Sequence, residues 1–266
     1  MSEARSARCY DRGMADRRAQ RLLVIACDVV ARPVYLCAAR SPHVVDLRLL
    51  ARGLHNEPVK LRDILQREID AVEPGYDAIV LAYGLCGGAT AGIEARSLPV
   101  VLPRAHDCIT LFLGARERYA SEFNASITYW YVNDQVERNQ GYSAKSVGLG
   151  VSGDSDEDME AIHAEYVEKY GADNADYLME VMGAWKSHYQ RAAFVEMGVA
   201  DEAASVAYAR EQAERRGWQF DQIEGSMLLL RKLIYGEWDD DFLVLRPGER
   251  LAMSWDDQVV KAVPSG

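Results

Sequence analysis

The sequence predicts an α/β protein: an open, mainly parallel, Rossmann-like sheet with helices on both faces, whose second half either extends that sheet or forms a second α/β lobe. Two observations lead there. Short runs rich in Val, Ile and Leu recur along the chain, and stretches of helical periodicity separate them. Strand, helix, strand, helix, strand is the pattern of a parallel sheet with right-handed crossovers. The 266 residues can bury a core of their own, so a bound metal would serve function rather than staple the fold.

The Arg-rich, polar stretch 1–20 is expected to be a disordered extension of an α/β domain over 21–266. RLLVIAC (21–27) reads as a buried first strand. Cys37, in the helical segment that follows, reads as packing, and VVDLRLL (44–50) as the second strand. EPVKLRDILQREIDAVE (57–73) puts Leu61, Ile64, Leu65 and Ile69 on one helical face. YDAIVLAYG (76–84) is the third strand and LPVVLPRA (98–105) the fourth. Between them CGGATAGIEAR (86–96) is expected to turn tightly into a short helix.

ITLFLGARERYASEF (109–123) reads as one further helix and SITYWYV (126–132) as an aromatic strand. Residues 133–156, rich in Asn, Gly, Ser and Asp, are expected to form a long surface loop that marks any boundary between lobes. A helix capped by Ser155 should follow. Helix and strand then alternate again through DEAASVAYAREQAERRGW (201–218), SMLLLRKLIYG (226–236) and DFLVLRPG (241–248).

A formal charge of −11 argues against a general nucleic-acid or anionic-membrane surface, since both need a basic field. No apolar stretch approaches the roughly 20 residues of a spanning helix, and a cytoplasmic protein is expected. Five cysteines make an odd set, and a reducing compartment disfavours structural disulfides, so free thiols or metal ligands are the better readings.

Three strand ends carry the chemistry. Cys27 ends the first strand, Cys86 follows the third, and His106 with Cys108 follows the fourth. In a sheet of order 2-1-3-4 these ends share one edge, at the point where strand order reverses and such folds bind ligands. Thiolates and neutral imidazole suit tetrahedral Zn2+, and His106 and Cys108, two apart in extended backbone, can face one way. Three protein ligands would leave a fourth position for a substrate thiol or water; four would make the site structural. No CxxC or HExxH pattern is present. An iron–sulfur cluster on three cysteines is the alternative occupant, and core packing the alternative use of each thiol, above all Cys27.

Around these ligands, Arg104, Asp107 and Tyr83 are candidate catalytic or orienting groups, with capping of the next helix the other reading for Asp107. Gly87 and Gly88 are candidates for close backbone approach to a ligand, although GxGxxG is absent. Trp130, whose alternation with Tyr129 and Tyr131 sends it to the opposite face, can line a pocket, and Glu224 with Gly225, before a helix capped by Ser226, is the expected contribution of the second half. His163 and His188 fall on polar helices and are expected to be solvated.

The motifs YGLCGG, PRAHDCITLFLG, TYWYV and LLLRKLIYGEWDDDFLVLRPG together resemble an uncharacterised bacterial and archaeal family known as domain of unknown function 1638, over most of the chain from about Arg21. The resemblance implies a link to corrinoid-dependent methyl transfer and one-carbon metabolism. The arrangement of His106 and Cys108 with a distant cysteine is also similar to the zinc site of methylcobalamin-to-thiol methyltransferases, whose barrel fold differs from the open sheet expected here.

The first expectation is therefore a zinc-binding protein that catalyses thiol- or methyl-group transfer, acting on a small-molecule substrate, with a corrinoid protein as candidate partner and an oligomer as an open option. The second is a non-enzymatic carrier of a metal, iron–sulfur cluster or corrinoid. A third is a metal-free cysteine enzyme with Cys86 or Cys108 as nucleophile and His106 as base.

Overall fold

The computed structural model describes residues 18–139, 163–164, 166–168, 170–176 and 189–266. The extension expected over 1–20 lies outside these but for its last three residues, as do Cys9, His188, Ser155 and the part from residue 140 on of the loop expected over 133–156. The chain opens with β1 (Arg21–Cys27), α1 (Ala31–Arg40), β2 (Val44–Leu50), α2 (Pro58–Asp70), β3 (Ala78–Ala82) and β4 (Val100–Pro103). After these come α3 (Cys108–Leu113), α4 (Arg116–Ala125), β5 (Thr128–Tyr131), α5 (Asn133–Asn139), β6 (Arg191–Glu196), α6 (Ala203–Arg216), β7 (Gln219–Glu224) and α7 (Leu228–Ile234). The strands β8 (Phe242–Leu245), β9 (Glu249–Met253) and β10 (Val260–Pro264) finish it.

A five-stranded sheet runs in the order β2-β1-β3-β4-β8, parallel except for β8. β1 and β3 are buried almost throughout, as the continuous apolar runs of a centrally placed parallel strand require. The connection β1–α1–β2 runs one way along the sheet and β2–α2–β3 runs back past β1, and crossovers of the usual right hand in opposite directions put α1 and α2 on opposite faces. α2 opens with Pro58 in its first turn and buries Leu61, Leu65 and Ile69, four residues apart on one stripe. α1 buries Val34 and Cys37 and is tied to the end of α7, where Ser41 Oγ donates to the Ile234 carbonyl at 3.1 Å.

The second half does both things the sequence left open: β8 extends the first sheet, and β5-β6-β7 form a separate parallel sheet. Tyr129 and Tyr131 pack with Val136, Ala192, Phe194, Ala209 and Ala213 in a smaller core, while Trp130 between them packs against the larger one. That is the alternation expected of a strand. Among the described residues no helix is long and apolar enough to cross a membrane.

Four local expectations are corrected. Residues 86–96 form successive turns and no helix: Cys86, Gly87, Gly88 and Gly92 all have positive φ, and the backbone pairs outward with β9 through Gly92 N to Leu251 O and Leu251 N to Ile93 O, each 2.8 Å. The helix expected over 109–123 is two, α3 and α4, broken at Gly114 with φ 77°. A Cβ there would stand 2.5 Å from that of Ser226, so the break seats the second lobe's connection against α3. The first seven residues of the expected loop over 133–156 are helix α5. Finally, Met227 rather than Ser226 is the N-cap of α7, although Ser226 Oγ still accepts from Leu228 N at 3.3 Å.

Candidate functional site: three thiols at the switch point of the sheet

The C-terminal ends of β1, β3 and β4 are adjacent because the strands are. β1 delivers Cys27, in extended backbone, and one 3-10 turn over Asp28–Val30. β3 runs on through Tyr83 and Gly84 to Cys86, and this stretch continues the pairing with the segment after β4: Leu85 N donates to Ala105 O and Cys86 N to His106 O, both 2.8 Å. Such close approach needs Gly84, because a Cβ there would lie 2.6 Å from both N and Cα of Asp107. Cys86 has φ 48°, a left-handed conformation costly to any residue with a side chain. Strain of this kind is typical of positions held for function.

Asp107 is the N-cap of α3, its Oδ1 accepting from Ile109 N at 2.9 Å, so Cys108 is the first residue of the helix. Its Oδ2 accepts from the Tyr119 hydroxyl at 2.9 Å. Tyr119 in turn stacks on His106, with centroids 5.8 Å apart, and on Phe123 at 6.0 Å. His106 is exposed.

Cys27, Cys86 and Cys108 all have free side chains and lie within electrostatic reach of one another. Burial pushes Cys27 and Cys86 up to about 12, and Cys108 well above its ordinary value. For Cys86 and Cys108 the charge of Asp107 and of the neighbouring sulfurs adds to that rise. Tyr83 sits among them, only 4% exposed. Burial, then the charges of Cys27, Cys86, Asp28 and Cys108, push its phenol upward, and its hydroxyl has no hydrogen-bond partner. Among the described residues no three His, Cys, Asp or Glu side chains stand in a ready coordination geometry. Thiols are donor types that a soft cation accepts, and these three are electrostatically linked to one another and to Tyr83 without forming a coordination cluster.

The remaining candidates separate. Arg104 turns to the C-terminal hairpin, where its guanidinium donates to the carbonyls of Gln258 and Val260. Gly87 has open space where a Cβ would be, and Gly88 lies near Met253. Glu224 ends β7 and its carbonyl accepts from Arg118. At Gly225 a Cβ would fall 2.2 Å from the flexible Met197 Sδ and 3.0 Å from the Glu196 carbonyl oxygen, a tight packing position. His163 is partly exposed and pairs with Asp176 at 2.7 Å. Cys37 is buried in the core, where burial pushes it up to about 11.

Sequence reasoning missed the groups on the far side of Cys27. Asp28, buried, accepts from Arg52 N at 2.9 Å and faces the guanidiniums of Arg52 at 3.6 Å and Arg138 at 3.9 Å. Burial raises Asp28 even so, against the pull of both arginines. His55, in the turn after β2, is exposed and within electrostatic reach of Asp107. Arg52 and His55 follow a strand end on the same edge, which was a usable signal. Arg138 was hidden in α5, inside the segment that reads as a loop.

A family model described as "Protein of unknown function (DUF1638)" matches residues 49–234, which include Tyr83, Cys86, His106 and Cys108 but begin after Cys27. No curated protein and no solved structure matches the chain.

Proposed function

Given that this chain belongs to the family of proteins of unknown function DUF1638, we propose that it is a cytoplasmic zinc-thiolate protein that transfers a methyl or other group to or from a small thiol. One observation supports the reading: Cys27 at the end of β1, Cys86 after β3 and Cys108 after β4 come from neighbouring strands at the edge where the strand order reverses, within electrostatic reach of one another and of the buried Tyr83. Cys27, Cys86 and Cys108 are the proposed ligands, and His106 is exposed and stacks on Tyr119. When bound, zinc supplies Lewis acidity, lowering the pKa of a thiol or water in its open position so that a nucleophile exists at neutral pH.

The chain's own residues do the rest. Burial, which keeps these thiols protonated without a cation, makes loading release protons and ties affinity to pH. Asp107 fixes the start of α3, and with it Cys108. Gly84 lets the loops after β3 and β4 close on each other. The link to one-carbon chemistry and to a corrinoid-bearing partner rests on the family resemblance.

A second reading is favoured by the same set of three cysteines without an inner histidine, which suits an iron–sulfur cluster with one open iron and a carrier role. Neither observation favours a metal-free cysteine enzyme: burial disfavours the thiolates, and His106 stacks on Tyr119 at the surface. Metal analysis of protein purified without chelator tests the proposal. Zinc near one per chain is expected, lost in Cys108→Ala and Cys27→Ser and kept in His106→Ala. Visible absorbance with iron points to the cluster, and metal-free wild-type protein ends both readings.

A further inference from the structure

We infer that β2 is the surface through which two copies of this chain pair, antiparallel, into one continuous sheet across a two-fold axis at Leu47. The inference is independent of what the thiols bind. β2 lies at the edge of the five-stranded sheet, with β1 its one strand neighbour among the described residues. Val44 N donates to Gln20 O at 2.9 Å, toward β1. Both backbone groups of a residue in a parallel ladder face the same neighbour, and successive residues alternate. Val44, Asp46, Arg48 and Leu50 therefore bond to β1, while the N–H and C=O groups of Val45, Leu47 and Leu49 face outward.

Edge strands are ordinarily blunted by a proline, a bulge or a covering segment, because open backbone groups recruit another strand. β2 has seven residues in unbroken register with β1, holds neither Pro nor Gly, and is apolar at five positions. Val44 is 55% exposed.

The order of these residues selects a second copy as the occupant. An antiparallel copy with Leu47 on the axis sets Val45 against Leu49 of the second copy, Val44 against Leu50 and Asp46 against Arg48, each contact occurring twice as an isologous interface requires. The outward residues then form the hydrogen-bonded pairs. Asp46 and Arg48 meet in the non-hydrogen-bonded pairs, where opposed Cα atoms stand about 4.5 Å apart and side chains are closest.

Both charges have capacity for this contact. The bonds that Asp46 accepts from Arg21 and Tyr76 all fall on Oδ2, and Arg48 reaches Glu68 through Nη1. A slip of two residues would oppose Asp46 to Asp46 or Arg48 to Arg48, and a slip of one would mismatch the outward backbone groups, so the charges fix the register. Pairing over one short strand stays below the roughly 1,000 Å² of a stable interface, so the dimer forms reversibly with concentration.

Sedimentation velocity of the full chain, from micromolar to sub-millimolar concentration, tests the pairing. Wild type should pass from monomer to dimer. Arg48→Glu and Asp46→Lys each make both cross-strand pairs like-charged, and each alone should associate at least tenfold more weakly. Mixed one to one they restore opposite charges at both pairs, so a heterodimer of wild-type strength should form. Amide exchange in wild type reads the same edge without a substitution: the N–H groups of Val45, Leu47 and Leu49 should gain protection as concentration rises, while those of Asp46 and Arg48 stay protected throughout.

A wild type that is monomeric at every concentration overturns the inference, whether the edge then serves another protein's strand or stays bare. Association that both variants leave intact overturns it, as does failure of the two variants, folded by circular dichroism, to pair when mixed. Should a substitution unfold the chain, the wild-type amides decide alone: a dimer in which Val45, Leu47 and Leu49 gain no protection is built on another surface.

Discussion

Replacing Gly84 by alanine tests whether the contact between the loops after β3 and β4 builds the site. The added Cβ would stand 2.6 Å from N and Cα of Asp107 and 2.9 Å from its carbonyl carbon, all backbone atoms that no side-chain rotation can clear. Restoring an ordinary contact of 3.4 Å means opening the loops by about 0.8 Å. The bonds Leu85 N to Ala105 O and Cys86 N to His106 O, now 2.8 Å, would stretch past hydrogen-bonding range. Two such bonds at about 1 kcal/mol each, with about 1–3 kcal/mol of overpacking, give an expected loss of about 3–5 kcal/mol. Against a typical total of about 5–15 kcal/mol the loss is readily measured by urea unfolding monitored by circular dichroism. The same displacement separates Cys86 from Cys108, so metal affinity should fall with stability. A loss under about 1 kcal/mol would show that the loops yield freely and would refute the argument.

Cys86→Gly removes a side chain from a left-handed position with φ 48°, so the metal-free protein should hold its stability or gain up to about 1 kcal/mol by urea titration, while its metal content drops. A stability loss beyond about 1 kcal/mol would mean that the thiol is core packing and not a strained ligand. Away from the site, Asp46 is held below its ordinary 3.8 by the Tyr76 hydroxyl first and then by Arg21. A depressed carboxylate stabilises the fold above its unfolded pKa, and that stability is lost as pH falls through the folded value. Tyr76→Phe, which removes a 2.8 Å bond, should therefore flatten the acid limb of the stability–pH profile below about pH 4. An unchanged limb would reject the assignment.

The parts of the fold legible in the sequence are those encoded by runs of like residues. RLLVIAC and VVDLRLL are strands to the residue, the first as the continuous apolar run of a buried strand and the second as the alternating run of a partly exposed edge strand. Local pattern failed where a distant segment captured the backbone. Residues 86–96 look able to start a helix, yet their hydrogen bonds go to β9, more than 150 residues further on. Gly114 sits inside a helical period and still ends a helix, because the space beside it is filled by Ser226.

The same division governs the site. By itself the sequence determined the class of fold, the strand ends that carry Cys27, Cys86 and Cys108, and the family. Only the tertiary structure decided which side chains keep company. His106 and Cys108, two apart, would face one way in a strand, but Asp107 caps α3 between them, so Cys108 begins a helix and His106 turns out to Tyr119. Tyr83 is an ordinary strand-end aromatic until β1 and β4 flank β3 and bury it among the thiol-bearing loops. A residue's period along the chain is local information, whereas the direction and company of its side chain depend on neighbours brought in by long-range packing.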